Sequence, residues 1–188
     1  MFQSKHIEFI ILTLSLLITR GIDARLTYLI TPDLSREQNP LVKFFGMGWE
    51  GMLGIGVIVI LAMIYFLYWT VYKNVDNFPT IKMTLTEYQK FYFDTKNNPN
   101  YKTNQGLKIL AYVFSYSLPR ATIIWGLFII LHNSLVYFEV PFYQAIRASV
   151  NVVFFYYLLL PAIGFWFINR FVKLEYTRFQ TSQESVSP

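Results

Sequence analysis

Cysteine is missing from the sequence altogether. Its absence excludes disulfides, thiolate metal sites, iron–sulfur clusters, cysteine nucleophiles and CxxC redox chemistry. Charged residues are scarce as well: they make up 14% of the chain, whereas a soluble domain carries about 25% because it must present a solvated surface. A chain with so little charge must keep its outer surface away from water, and a lipid bilayer is the simplest way to do so.

Motifs that identify common enzymes and nucleotide-binding proteins are also missing. The sequence has no HExxH, no G-x-S-x-G and no Walker or dinucleotide-binding pattern. Two histidines are present, and we expect His6 and His132 at opposite membrane faces, where they cannot bind one haem. We therefore expect no cofactor, no metal site and no catalytic residue, although a pair of carboxylates can suffice for acid–base catalysis.

Apolar residues, in contrast, make up 54% of the chain. They form four runs long enough for a membrane-spanning helix, which needs about 20 mainly apolar residues. The runs are about Ile7 to Ile30, Met52 to Tyr72, Leu118 to Phe138 and Ala148 to Val172. The sequence predicts an all-α fold, a single domain forming an integral membrane four-helix bundle with short interfacial helices. Lys5 before the first run also fits a signal peptide, but no A-x-A cleavage site follows, so we expect the run to be retained.

Lysine and arginine are distributed unequally over the predicted loops. One side would carry Lys5, Lys73, Lys82, Lys90, Lys96, Lys102, Lys108, Arg170, Lys173 and Arg178, and the other side Arg25, Arg36, Lys43 and Arg147. Because cytoplasmic loops carry the excess of basic residues, we expect the N-terminus, the middle loop (74–108) and the C-terminal tail (174–188) in the cytoplasm. The net charge of +5 thus flanks apolar runs, and we expect the lipid bilayer and not nucleic acid as the partner.

The middle loop contains one predicted helix. Thr84 and Glu87 form a capping box, so we expect a helix from Leu85 to Thr95 with an apolar face of Leu85, Tyr88, Phe91 and Tyr92. The preferred interpretation places this face on the inner leaflet, where Lys82, Lys90 and Lys96 would attract anionic lipid. The alternative is a docking face for a cytoplasmic partner.

The stretch from Gly106 to Ser117 allows two interpretations. If it belongs to the third span, Pro119 and Arg120 lie near the middle of that span, where an arginine costs about 2.5–3.5 kcal/mol on insertion scales. If the span begins at Leu118, Pro119 lies in the first turn, where no N–H is needed, and Arg120 reaches the inner headgroups. We favour the second arrangement, with Gly106 to Ser117 as an interfacial or re-entrant helix.

The most informative polar residues lie between Arg20 and Glu50. Thr13, Arg20 and Thr27 align at seven-residue spacing, and Asp23 lies beside them. Ionisable groups facing lipid are costly, so this stripe should face other helices, with Arg20 and Asp23 paired. Further along, Pro32 ends the first helix and Asn39-Pro40 starts a short one. The face shared by Gly48, Gly51 and Gly54 would let a neighbouring backbone come close.

Two interpretations of this segment remain open. In the first, Arg20 and Asp23 are a structural pair, and Glu37 and Asn39 cap the outer loop. In the second, carboxylates gather at the outer face and bind a cation or a lipid amine, or transfer protons. The candidate ligand-binding residues are Arg20, Asp23, Thr27, Asp33, Glu37, Asn39 and His132.

The spacing D-x3-T-x3-T-P-D-L-x2-E-x-N-P, from Asp23 to Pro40, resembles a motif in small, uncharacterised bacterial polytopic inner-membrane proteins. The resemblance implies a bacterial inner membrane and carries no known activity.

Three functions are compatible with these features. The first is a non-enzymatic accessory or interaction subunit, or a protein binding a lipid or small ligand, which works as a homo-oligomer or with another membrane subunit. The second is an oligomeric channel lined by Thr13, Arg20, Asp23 and Thr27. The third is an intramembrane enzyme that acts on a lipid-linked substrate through Asp23 and Glu37.

Overall fold

A computed structural model describes residues 2–35, 40–73, 78–79, 81–94 and 105–184 of the 188-residue chain. The helices are α1 (Phe2–Ile30), α2 (Pro40–Phe45), α3 (Trp49–Tyr72), α4 (Leu85–Phe93), α5 (Gln105–Tyr137), α6 (Pro141–Ser149) and α7 (Val152–Glu184). The described residues contain no strand, which confirms the all-α prediction.

Three of these helices are long and apolar enough to cross a membrane, namely α3, α5 and α7. The predicted spans therefore fit at 52–72 and, with shifted bounds, at 118–138 and 148–172. Ala148 belongs to α6, and α7 begins at Val152 and extends through most of the predicted tail, to Glu184. The first run also forms one long helix, but Glu8, Arg20, Asp23 and Arg25 place charges along α1.

Helix α5 lies at the centre of the fold and packs against α1, α3 and α7. Helices α1 and α5 run parallel, because Glu8 contacts Arg120 and, further along both helices, Asp23 contacts Asn133. Helix α1 also packs against α3. Helices α1 and α3 are therefore neighbours on the surface of α5, which α7 also contacts.

Helices α3 and α7 run antiparallel to α5. Near the end of α3, Trp69 packs edge-on against Tyr112, at a ring distance of 6.1 Å, near the start of α5. Near the start of α7, the carbonyl of Tyr156 accepts a hydrogen bond from the indole of Trp125 at 2.8 Å. The four long helices therefore alternate in direction along the chain.

Helix α5 is continuous through Pro119, so the prediction of a new helix starting at Leu118, with Gly106 to Ser117 as a separate interfacial or re-entrant helix, is wrong. Proline lacks the N–H that would bond the carbonyl four residues earlier, and alone it favours a break. Here Ser115 and Pro119 are fully buried, and the packing of α1, α3 and α7 around α5 holds the helix together. Arg120 does not extend to headgroups, because it is buried and pairs with Glu8.

Beyond the end of α3, mainly aromatic residues from α4, α5 and α7 form a buried hydrophobic core. Its members are Tyr88, Tyr92, Ile109, Tyr112, Val113, Phe171, Val172 and Phe179. The expectation that Tyr88 and Tyr92 lie on the inner leaflet is therefore wrong. These side chains are fully buried against the protein, because α7 supplies the apolar surface that lipid was expected to supply.

The predicted capping box at the start of α4 is confirmed. The Thr84 hydroxyl accepts a hydrogen bond from the Glu87 N–H, and the Thr84 N–H donates to the Glu87 carboxylate at 2.8 Å. These contacts with Thr84 lower the pKa of Glu87. The helix ends at Phe93, and Thr95 lies outside the described residues.

We predict that Thr84→Ala destabilises α4, and with it the packing of α4 against α7, by about 1 kcal/mol. The substitution removes the side-chain half of the capping box. Thr86→Ala, an exposed position in the same helix, is the matched control. Hydrogen exchange of the α4 amides should accelerate in the first variant alone. The contribution of ionised Glu87 is present at neutral pH and is lost as the pH falls through its lowered pKa. Equal exchange in both variants would contradict the prediction.

Candidate functional site

A set of polar residues joins α1 to α5, and we call it the polar seam. It consists of Arg20 and Asp23 on α1 and of Thr122, Trp125 and Asn133 on α5. The polar stripe predicted on the first helix therefore faces a neighbouring helix. This placement avoids the cost of exposing an ionisable group to acyl chains.

Arg20 makes three contacts in the seam. Its guanidinium donates a hydrogen bond to the Thr122 carbonyl at 3.0 Å and one to the Asp23 carboxylate at 3.4 Å. The guanidinium carbon also lies 5.2 Å from the ring centre of Trp125, a distance at which a cation is attracted to an aromatic face. The Arg20 side chain is 18% exposed, so most of its surface is covered by the protein.

Both carboxylate oxygens of Asp23 are engaged. One accepts from the Arg20 guanidinium, and the other accepts from the side-chain amide of Asn133 at 3.0 Å. A partly buried carboxylate with a cation and an amide donor around it has compensation for most of its lost hydration. This geometry favours the structural interpretation of the Arg20–Asp23 pair.

Gly126 is the position that lets α1 approach α5 here. A methyl group added at this residue would overlap the Arg20 guanidinium and would lie 3.3 Å from the Thr19 side chain. Sequence reasoning missed Gly126, although a glycine in a span otherwise rich in bulky residues is a signal of close approach.

A second polar contact between α1 and α5 was also missed. Arg120 forms an ion pair with Glu8 at 2.7 Å, donates to the Tyr116 carbonyl at 2.9 Å and lies 4.0 Å from the Tyr116 ring centre. The signal in the sequence was a single acidic residue at the start of one apolar run and a single arginine in another. Together with the seam, this pair attaches α1 to α5 at two heights.

The remaining outer-face candidates within the described residues do not join Asp23. Asp33 is exposed in the turn after α1, where it accepts hydrogen bonds from the N–H and the hydroxyl of Ser35 at 3.1 and 2.8 Å. These bonds lower the pKa of Asp33 and are typical of a carboxylate that organises its own turn. Thr27 is half-buried on α1. Glu37 and Asn39 lie outside the described residues.

His132 faces a different neighbour from Asn133. One ring nitrogen is hydrogen-bonded to the hydroxyl of Tyr143 on α6, and the ring packs 4.9 Å from the ring of Tyr156 on α7. Consecutive helical residues point about 100° apart, which explains why Asn133 reaches Asp23 and His132 does not. Among the described residues, no three His, Asp or Glu side chains are grouped so that they could hold a metal ion.

The predicted packing glycines are open. A Cβ at Gly48 or Gly54 would meet nothing within 4 Å, and one at Gly51 would meet the nearby Met47 side chain. No other helix in the described part of the chain approaches this face. Lys82 and Lys90 are exposed, and Lys96 lies outside the described residues.

Comparison with known proteins gives no relative: no family model, curated protein or solved structure matches this chain.

We predict that Gly126→Ala lowers the stability of the folded protein by about 1–3 kcal/mol, because the methyl group pushes Arg20 and Thr19 away from α5. Gly54→Ala should instead be neutral or stabilising by up to about 1 kcal/mol, since alanine favours a helix and the space is open. The unfolding midpoint of the purified protein in detergent measures both. If both variants shifted the midpoint equally, the proposed close approach at Gly126 would be refuted.

Proposed function

We propose that the chain crosses a bacterial inner membrane four times, through α1, α3, α5 and α7, with both termini in the cytoplasm. The excess of basic residues on one side supports this orientation, and the motif between Asp23 and Pro40 supports the compartment. The two-sided character of α1 supports the fourth span. Glu8, Arg20 and Asp23 contact α5, while apolar residues on other sides of the helix are more than half exposed: Ile7, Ile10, Ile11, Leu14 and Ile18.

Within that membrane, we propose a non-enzymatic role as an accessory or interaction subunit that binds lipid and a membrane partner, either a second copy or another subunit. One observation carries this proposal. Arg20 and Asp23 are paired with each other and with α5 inside the chain, whereas the most apolar stretches of α3 and α7 are largely not buried. Only 6% of the most apolar stretch of either helix is buried, compared with 50% in α5.

An apolar surface of this kind can take part in a reaction only by binding another molecule. The apolar side chains of α3 and α7 offer no acid, base or nucleophile, and both oxygens of Asp23 already have donors. An enzyme that used Asp23 would have to break the seam before each turnover. A pore lined by Arg20 and Asp23 would require these side chains to leave α5. The interaction role needs neither rearrangement.

Photocrosslinking in native membranes tests the interaction role. A photoreactive residue replaces Ile58 of α3, which is 67% exposed, or Phe165 of α7, which is 66% exposed. Leu16 of α1, which is fully buried, is the matched control. We expect protein adducts from at least one of the exposed positions, because an unused apolar face binds a partner, and none from Leu16. Lipid adducts alone from both exposed positions would reject the interaction role.

A flux assay in liposomes separates the channel from the interaction role. We expect no ion flux at high protein density, because the seam residues are used within the chain. A flux abolished by Asp23→Asn would instead establish the channel.

A further inference from the structure

Helix α6, which connects α5 to α7, has an inward and an outward side chain next to each other. Tyr143 is 6% exposed and Phe142 is 74% exposed. Tyr143 is directed inward by its hydrogen bond to His132 of α5. The His132 ring in turn packs against Tyr156 of α7. One contact therefore fixes how α6 is rotated on the ends of the two long helices.

The hydroxyl of Tyr143 stays protonated near neutral pH. Burial raises the pKa of the Tyr143 hydroxyl further above its already high ordinary value. The phenol therefore stays neutral and keeps its hydrogen. Arg147, one helical turn beyond Tyr143, is exposed, and its charge acts on both Tyr143 and His132.

Rotation fixed in this way turns an apolar face of α6 outward. Residues three or four apart share one side of a helix, and Phe142, Ala145, Ile146 and Ser149 have these spacings. Gln144 lies on the opposite side. Phe138, in the turn before α6, is 71% exposed and adds to the apolar face. An apolar face flanked by a basic residue is the pattern of a helix lying in a membrane interface.

The location of α6 identifies what covers this face. The helix follows the end of α5 and precedes the first turn of α7, whose Phe154 and Phe155 are each more than half exposed. The apolar face of α6 is thus only a few residues along the chain from the exposed aromatic side chains that begin α7. Aromatic side chains are enriched at this height in membrane proteins, where ring and headgroup meet. Arg147, exposed at the polar edge of α6, has the charge to bind a lipid phosphate.

We propose that α6 is a lipid-binding helix that lies in the outer leaflet, with Phe138 and Phe142 among the acyl chains and Arg147 at the phosphates. The Tyr143–His132 contact acts as the fixed support that holds α6 at this depth. The inference rests on the four-span arrangement proposed above. It adds the place where lipid is bound, which is the boundary between the phosphates and the acyl chains. It also names Tyr143 as the residue that sets the depth of α6 in the membrane.

The absence of cysteine allows a direct test by site-directed spin labelling. Single cysteines replace Phe142, Gln144 on the opposite side of α6 as the matched control, and Ile58 in the middle of α3 as a membrane reference. The protein is reconstituted in vesicles of phosphatidylethanolamine and phosphatidylglycerol. Accessibility of each nitroxide to oxygen and to a water-soluble nickel chelate gives its depth. We expect the label at position 142 about 5–10 Å below the phosphates and the label at 144 at or above them.

Each alternative outcome has a distinct meaning. If the label at position 142 is accessible to the nickel chelate while the label at position 58 is accessible to oxygen, α6 does not bind lipid. The four-span arrangement is then still supported. If the label at Ile58 also meets the chelate, the membrane arrangement itself fails. If the label at 142 is immobile and closed to both reagents, a protein covers α6, which overturns the proposal.

The supporting role of Tyr143 has its own readout. Tyr143→Phe keeps the ring but removes the bond to His132, and we expect the spectrum of a label at position 142 to show greater mobility and a broader depth distribution. Tyr137→Phe, which changes an exposed tyrosine at the end of α5, is the control. An unchanged depth and mobility in Tyr143→Phe would overturn the supporting role.

Discussion

The fold depends on how α1 accommodates its charges. An arginine at the centre of a span costs about 2.5–3.5 kcal/mol on insertion scales, and an unpaired carboxylate adds to that cost. In the four-span arrangement proposed above, the seam offsets it: Asp23, the Thr122 carbonyl and the Trp125 ring surround the Arg20 guanidinium. Because the partners other than Asp23 lie on α5, α1 has one acceptable rotation and one acceptable height. That contact determines which side chains of α1 face away from α5.

The same constraint explains why α5 is the central helix. It carries the polar partners for α1 on one side, the aromatic contact with α3 at its start and the indole bond to α7 further along. With their contacts concentrated on α5, the outer surfaces of α3 and α7 are largely uncovered by the residues that the structure describes. A protein built in this way presents apolar surface in two directions, which is the physical basis for the proposed role in membrane interactions.

What the sequence predicted correctly depends on short distances along the chain. The capping box and the Arg20–Asp23 pair each join residues three apart, and apolar runs are a local property, so the long helices follow. Contacts between distant residues were missed. Glu8 with Arg120 and Asp23 with Asn133 depend on helix packing, which one-dimensional spacing does not determine. Pro119 shows the reverse error, because a local rule predicted a break that burial among three helices prevents. The face of Tyr88 and Tyr92 was identified, but its partner is α7.

The central claim is that the seam allows α1 to cross the membrane. Labelling single cysteines with an impermeant maleimide in intact cells measures directly whether α1 crosses, at Ser4 in the first turn of α1 and at Ser35 after the helix. We predict that the cysteine at position 35 reacts from outside, whereas the cysteine at position 4 reacts only after the cells are permeabilised. Reaction of both positions from the same side would contradict the claim and leave α1 outside the set of spanning helices.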